Sequence, residues 1–240
     1  MCATFRRGCG GNLARSSSGD REQASINQEE IGGFGIAGDS SVIRELRQTI
    51  RDAATAPYPV LVEGEGEGGS GKELVASAVR RLSPRAARPL CSLNCAAVTE
   101  ELFEAELFGF ARGAFTGAVR ERRGLFEEAD TGAVFLDEVA ELSARAQAKL
   151  LRTLQEGEIR RLGENRPRRV DVRVIAATNR PLADEVEAGR FRRDLWYRLD
   201  VVRIAAAPLR GRPVTCDSCR GVSGPRPLEP SETLPFSTPN

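Results

Sequence analysis

Apolar positions along this chain recur in two rhythms, and the alternation between them predicts the elements. Val42, Ile43, Leu46 and Ile50 fall at helical spacing behind Asp39, Ser40 and Ser41, any of which can cap a helix start. Pro57 and Pro59 break that run, and residues 60–63 (VLVE) read as a short strand. A glycine-rich loop and a helix from about 72 to 82 follow. Residues 90–94 then read as a strand, 99–108 as a helix, and 133–137 as a fully apolar strand announced by the turn-forming Asp130-Thr131-Gly132. Beyond them come an amphipathic helix over 143–156, a strand over 172–178, two short helices within 184–199, and a last strand over 201–205. Strands this apolar, alternating with helices, predict a parallel sheet sandwiched by helices, hence an α/β fold of the nucleotide-binding kind.

The rhythm fades at both ends. Residues 1–34 are rich in Gly, Ser, Arg and Gln and read as a flexible leader, while 211–240 are rich in proline and read as a disordered tail. The domain is expected within 35–210. A chain of 240 residues has room for one such domain with tails, and a compact core of that size buries roughly 70% of the surface its unfolded chain exposes.

Composition narrows the chemistry. With 35 basic and 34 acidic residues the net charge is +1, so the overall balance does not select a nucleic acid or a membrane as partner. There is no histidine, which removes Ser-His-Asp and Cys-His schemes, histidine bases and histidine-containing metal sites. Lys72 and Lys149 are the only lysines. The six cysteines do not make a disulfide scaffold in a chain of this length, and Cys91 and Cys95 fall in apolar sequence, which fits a reduced, cytoplasmic setting. Cys216 and Cys219 form half of a zinc-type pattern without a second pair. The first residues lack a continuous apolar h-region and no run of 18 apolar residues occurs, so neither a secretory leader nor a membrane span is expected.

Chemistry gathers at four stretches. In VEGEGEGGSGKEL, Gly66, Gly71 and Lys72 have the GxxxxGK spacing, between a strand and a helix. Glycines there let backbone N–H groups turn inward around a phosphate, and the helix dipole and the lysine add positive charge. Glu73 stands where Ser or Thr usually contacts Mg²⁺. AVFLDE ends an apolar strand in Asp137 and Glu138, a pair suited to holding Mg²⁺ and polarising water, as in a Walker B strand. VIAATNR ends another in Thr178 and Asn179, where an amide can orient that water; a bare strand end before a turn is the plainer reading. FRRDLWYRL offers Arg192 and Arg198 as phosphate-seeking fingers. A fifth stretch, ELFGFARGAFTGAVRERRG, surrounds Phe115 and Thr116 with Gly109, Gly113 and Gly117, a spacing that breaks regular structure and exposes an aromatic tip.

From about Phe34 to Arg210 the chain resembles the bacterial enhancer-binding proteins, the AAA+ activators of sigma-54 RNA polymerase. The matching pieces stand in order: GSGKELV, LNCAA, ELFGFARGAFTGA, GLFEEADTGAVFLDE, QAKLLRTLQEGEIRRLG, VDVRVIAATNR, FRRDLWYRLDV and PLR. The resemblance implies a P-loop NTPase of AAA+ type that assembles as a ring, usually a hexamer, and uses ATP and Mg²⁺ to drive its GAFTGA loop against the sigma-54 holoenzyme. By the same resemblance Gly66, Gly68, Gly69, Ser70, Gly71, Lys72 and Glu73 would cradle the nucleotide, and Asp137 would handle Mg²⁺. Glu138 would activate water, Asn94 would restrain that glutamate as a switch, and Thr178 with Asn179 would act as sensor I. Arg192 and Arg198 would be the fingers, and Gly113, Ala114, Phe115, Thr116, Gly117 and Ala118 would touch sigma-54.

Two departures accompany the match. The phosphate loop carries two extra residues between its strand and Gly68, and the sequence after PLR matches neither the family's helical lid nor its helix-turn-helix. Direct DNA binding is therefore not expected. A non-catalytic remnant that binds nucleotide or sigma-54 without turnover is the rival reading, and another AAA+ machine a third that GAFTGA opposes.

Overall fold

The structure, a computed structural model, describes Ile36, residues 40–64 and residues 71–206. The expected leader and tail lie outside the described residues, as do positions 65–70 of the phosphate loop, with Gly66, Gly68, Gly69 and Ser70 among them.

The first helix, α1 (Ser41–Thr55), starts where its sequence dictates: the Ser40 hydroxyl accepts from the Ile43 N–H at 3.4 Å, and Ile43, Leu46, Ile50, Ala53 and Ala54 form its buried face. The chain then enters β1 (Val60–Glu63), α2 (Lys72–Arg81), β2 (Leu90–Asn94) and α3 (Glu100–Phe108). A small hairpin, β3 (Gly109–Phe110) with β4 (Arg122–Arg123), and a short helix, α4 (Leu125–Glu128), precede β5 (Ala133–Asp137) and a 3₁₀ turn over Val139–Glu141. Helix α5 (Ala144–Glu156) leads to a second hairpin, β6 (Glu158–Ile159) with β7 (Arg168–Arg169). The sequence closes through β8 (Arg173–Thr178), α6 (Leu182–Glu187), α7 (Arg193–Leu199) and β9 (Val202–Ala205).

Five strands form one parallel sheet in the order β2-β5-β8-β1-β9. Side chains alternate between its faces as the period of two requires. Leu61, Val134, Leu136, Val174 and Ala176 pack into the core beneath α3, α5, α6 and α7. Val60, Val62, Phe135, Ile175, Ala177 and Ile204 face the other way, against α1 and α2. The expected α/β sandwich is therefore the observed one, with boundaries displaced by a residue or two. Arg173 joins its layers: its guanidinium donates to the carbonyls of Ala53 (2.6 Å), Ala54 (3.1 Å) and Tyr58 (3.1 Å), satisfying the end of α1 from the first residue of β8.

The pattern along the chain did not announce the two hairpins, α4 or the 3₁₀ turn. A strand of two residues is too short to display a period, and these pieces are held by contacts from elsewhere. Leu162 exchanges backbone hydrogen bonds with Gly109 and Ala111 at 2.9 Å each, so the second hairpin braces the first.

Candidate functional site

Three strand ends build one rim. The Gly64 N–H, just past β1, donates to the Thr178 carbonyl at the end of β8 (3.1 Å), and β8 lies between β1 and β5. Gly71 then turns with φ +78°, a left-handed conformation that glycine adopts without steric cost, and launches α2. Lys72, the first residue of α2, is only 5% exposed and aims its ammonium across the rim.

There it meets Glu138. The Lys72 Nζ stands 3.1 Å from Glu138 Oε1, and the Asn179 backbone N–H donates to Glu138 Oε2 at 3.3 Å. Glu138 itself has φ 52° and ψ 48°, left-handed for a residue with a side chain, a strain of order 1–3 kcal/mol that tends to be kept at working sites. Asp137, next to it, accepts from the Glu138 N–H through Oδ1 at 3.0 Å.

The electrostatics of this corner call for a cation. Burial pushes the Asp137 carboxyl above its ordinary range, and the charges of Glu138 and Glu73 add to that; the bond from the Glu138 N–H and the Lys72 charge oppose it. A divalent ion would fit such an under-compensated carboxylate. The Asn179 side-chain oxygen is buried and has no hydrogen-bond partner among the described residues, which leaves an acceptor for a bound group or water. Behind the pair lies Cys95, whose thiol is pushed up to about 12, first by burial and then by the charges of Asp137 and Glu138. It is a core residue and no nucleophile.

The remaining positions singled out by sequence sit differently. Asn94, at the end of β2, is paired in register with Asp137; its Oδ1 accepts from the Ala96 N–H at 2.9 Å, and the Glu138 oxygens accept from Lys72 and from the Asn179 N–H. The Thr178 hydroxyl is buried and closes a turn on Arg180, donating to its carbonyl (2.9 Å) and accepting from its N–H (3.1 Å). Glu73 is exposed beside the rim. Arg192 and Arg198 are exposed at α7; the first forks onto Asp194 (3.0 and 2.7 Å) and the second reaches the Leu154 carbonyl (3.4 and 3.3 Å). Neither of these two joins the Lys72–Glu138 group.

Residues 113–118 form a compact protruding loop. The Gly113 N–H donates to the Ala118 carbonyl (2.8 Å) and the Ala118 N–H to the Phe115 carbonyl (3.0 Å), while Gly113 and Gly117 adopt φ +81° and +106°. Phe115 is 49% exposed and leans edge-on against Phe110, with ring centres 5.0 Å apart. Two supports of this loop carried no assigned role in the sequence reading. Gly163, with φ +74°, lies so close that a Cβ there would sit 2.8 Å from that of Ala114. Arg161, only 5% exposed, clamps Glu127 with two bonds (2.6 and 2.7 Å) and reaches Glu121 at 3.1 Å, just before β4. Their signal was the piece QEGEIRRLG, which names the residues but not what they touch.

A family model described as Sigma-54 interaction domain matches residues 36–205. The chain belongs to the sigma-54 interaction domain family. This sigma-54 interaction domain is 50% identical over 202 residues to the Nif-specific regulatory protein of Azotobacter vinelandii, a match covering 82% of this chain and 38% of that protein. It is 54% identical over 177 residues to the anaerobic nitric oxide reductase transcription regulator NorR of Shigella sonnei (strain Ss046), covering 74% of this chain and 35% of that one. Among solved structures, NtrX from Brucella abortus in complex with ADP superposes with a TM-score of 0.68 at 33% identity, covering 82% of this chain and 44% of that chain. NtrX has also been solved with ATP, at the same TM-score and identity. The chain thus spans less than half the length of each of these relatives. Among the described residues no helix is long and apolar enough to cross a membrane, and no group of three or more acidic or cysteine side chains gathers as a metal cage. The Cys216–Cys219 pair lies outside the described residues.

Proposed function

We propose that this sigma-54 interaction domain binds ATP at the carboxyl rim of its sheet, hydrolyses it, and uses the turnover to drive the 113–118 loop against sigma-54 in the RNA polymerase holoenzyme. The observation that carries this reading is the meeting of Lys72, Glu138 and Asn179 at 3.1 and 3.3 Å, on elements that follow three neighbouring strands. Lys72 and the backbone N–H groups at the start of α2 would hold the phosphates. Asp137 would hold Mg²⁺, whose chemistry there would be to neutralise phosphate charge and polarise the transferred group. Glu138 takes a proton from the attacking water, with the Asn179 amide orienting it. NtrX captured with ADP and with ATP supports nucleotide as the ligand here.

Arg192 and Arg198 face outward, the disposition needed to stabilise charge on a neighbouring subunit's nucleotide in a ring. Steady-state ATP turnover per subunit should therefore rise with protein concentration, and Lys72→Ala or Glu138→Gln should lower it at least a hundredfold. Turnover equal in wild type and both variants overturns the reading. ATP retention without turnover in the wild type selects the non-catalytic alternative.

A further inference from the structure

We infer that sigma-54 is held beside the 113–118 loop as well as on it: the cleft between that loop and α3 takes one of its aliphatic side chains, with Leu102 as the contact on α3 and Arg145 holding a neighbouring carboxylate. The inference rests on the proposed function and extends its partner surface from the loop onto two helices.

The cleft measures about 600 Å³, within the roughly 300–1,000 Å³ typical of ligand clefts. Helix α3 lines it with Leu102 and Ala105, and the loop with Ala114 and Phe115. Folding does not account for Leu102. Phe103, Leu107 and Phe108 are the side chains by which α3 joins the core, and one apolar face is all that a surface helix has to bury. Leu102 lies off that face and is 55% exposed. A lone exposed leucine is ordinary, but one that shares a cleft with a half-exposed phenylalanine makes an apolar site. Phe115 is already set in place by its edge against Phe110, so a guest does not have to order it.

Charge at the cleft selects what lies next to that aliphatic group. Glu104, which also lines the cleft, is 3% exposed and meets two cations of α5. Lys149 Nζ stands at 2.8 Å, and Arg145 Nε at 2.9 Å, the latter a contact of charges without hydrogen-bond alignment. One carboxylate thus faces two positive charges. Lys149 is further engaged by the Phe108 ring, 5.6 Å from its centre, so the surplus falls on Arg145. That side chain is 67% exposed and has no second carboxylate within ion-pair reach among the described residues. Glu100, the other charge on the lining, opens α3, where the positive end of the helix dipole answers it. A guest with an aliphatic side chain beside a carboxylate matches both halves of the cleft, and the interaction that names this family is with sigma-54.

The test mixes the full chain, as its ATP–metal-fluoride complex, with purified sigma-54 and measures retention by pull-down, with urea midpoints and sedimentation taken alongside. Leu102→Asp should cut retention roughly tenfold at an unchanged urea midpoint, and Leu102→Met should retain sigma-54 as the wild type does. Arg145→Gln should cut retention roughly threefold, the size of one exposed ion pair, and the difference from wild type should close in high salt. Full capture by Leu102→Asp, with Thr116→Ala losing it, overturns the cleft and leaves the proposed function standing. Loss of capture together with a fallen urea midpoint returns Leu102 to the fold and overturns the inference as well. Arg145→Gln at the wild-type level overturns the carboxylate assigned to the guest. Loss of self-association in Leu102→Asp makes a second copy of this chain the occupant and overturns sigma-54 there. A wild type that retains no sigma-54 overturns the inference and the proposed partner together.

Discussion

At position 163 a single methyl group decides how the protruding loop sits. The backbone there is left-handed, and an added Cβ would lie 2.8 Å from the Ala114 Cβ and 2.9 Å from its Cα. Gly163→Ala therefore combines a backbone penalty with a collision, and should cost about 2–3 kcal/mol in urea unfolding. At Gly113, where the same backbone sign meets open space, Ala should cost about 1 kcal/mol. Equal costs at the two positions would show that the loop does not rest on 163. Residues whose placement follows from spacing along the chain, such as Lys72 behind its glycines or Asp137 and Glu138 at the end of an apolar run, were legible in the sequence. Gly163 and Arg161 were not, because their partners lie tens of residues away and nothing local marks the meeting.

Among elements, the two small hairpins and α4 depend on a buried guanidinium. Arg161 ties β6 to α4 through Glu127 and to the approach of β4 through Glu121. The bonds from Arg161 hold the Glu127 carboxyl below its ordinary value of 4.5, against the opposing effect of burial. A carboxylate whose folded value is depressed adds stability that is complete above its unfolded value and fades as pH falls toward the folded one. Arg161→Met should thus lower stability at pH 7 by about 3–5 kcal/mol. It should also flatten the loss of urea midpoint expected of the wild type as pH falls below 4.5. Parallel pH profiles for wild type and variant would remove Glu127 from the account. Elements long enough to show a period were readable in advance, including the apolar strand 133–137 and the amphipathic helix 143–156. The hairpins were not, since ion pairs and backbone exchange with Leu162, rather than propensity, hold them.

For the molecule as a whole, the sheet order brings the Lys72 end of α2, the acidic pair and Asn179 to one edge, while Phe115 stands on a loop carried by separate hairpins. Such a division suits a domain that reads nucleotide at one place and presses on a partner at another. An ATP–metal-fluoride complex of the chain should retain purified sigma-54 in a pull-down, and Thr116→Ala should reduce that retention at least tenfold while ADP affinity stays unchanged. Undiminished capture by the variant would reject the loop as the contact. The α/β architecture was readable from the alternation of rhythms, whereas the contact between Lys72 and Glu138 was not, because a motif names each residue without saying what it touches.

The twisted backbone at Glu138 has a cost in ruggedness. Glycine would relax that residue at once, and in doing so would delete the acid, so the substitution that toughens this corner also removes the proposed base.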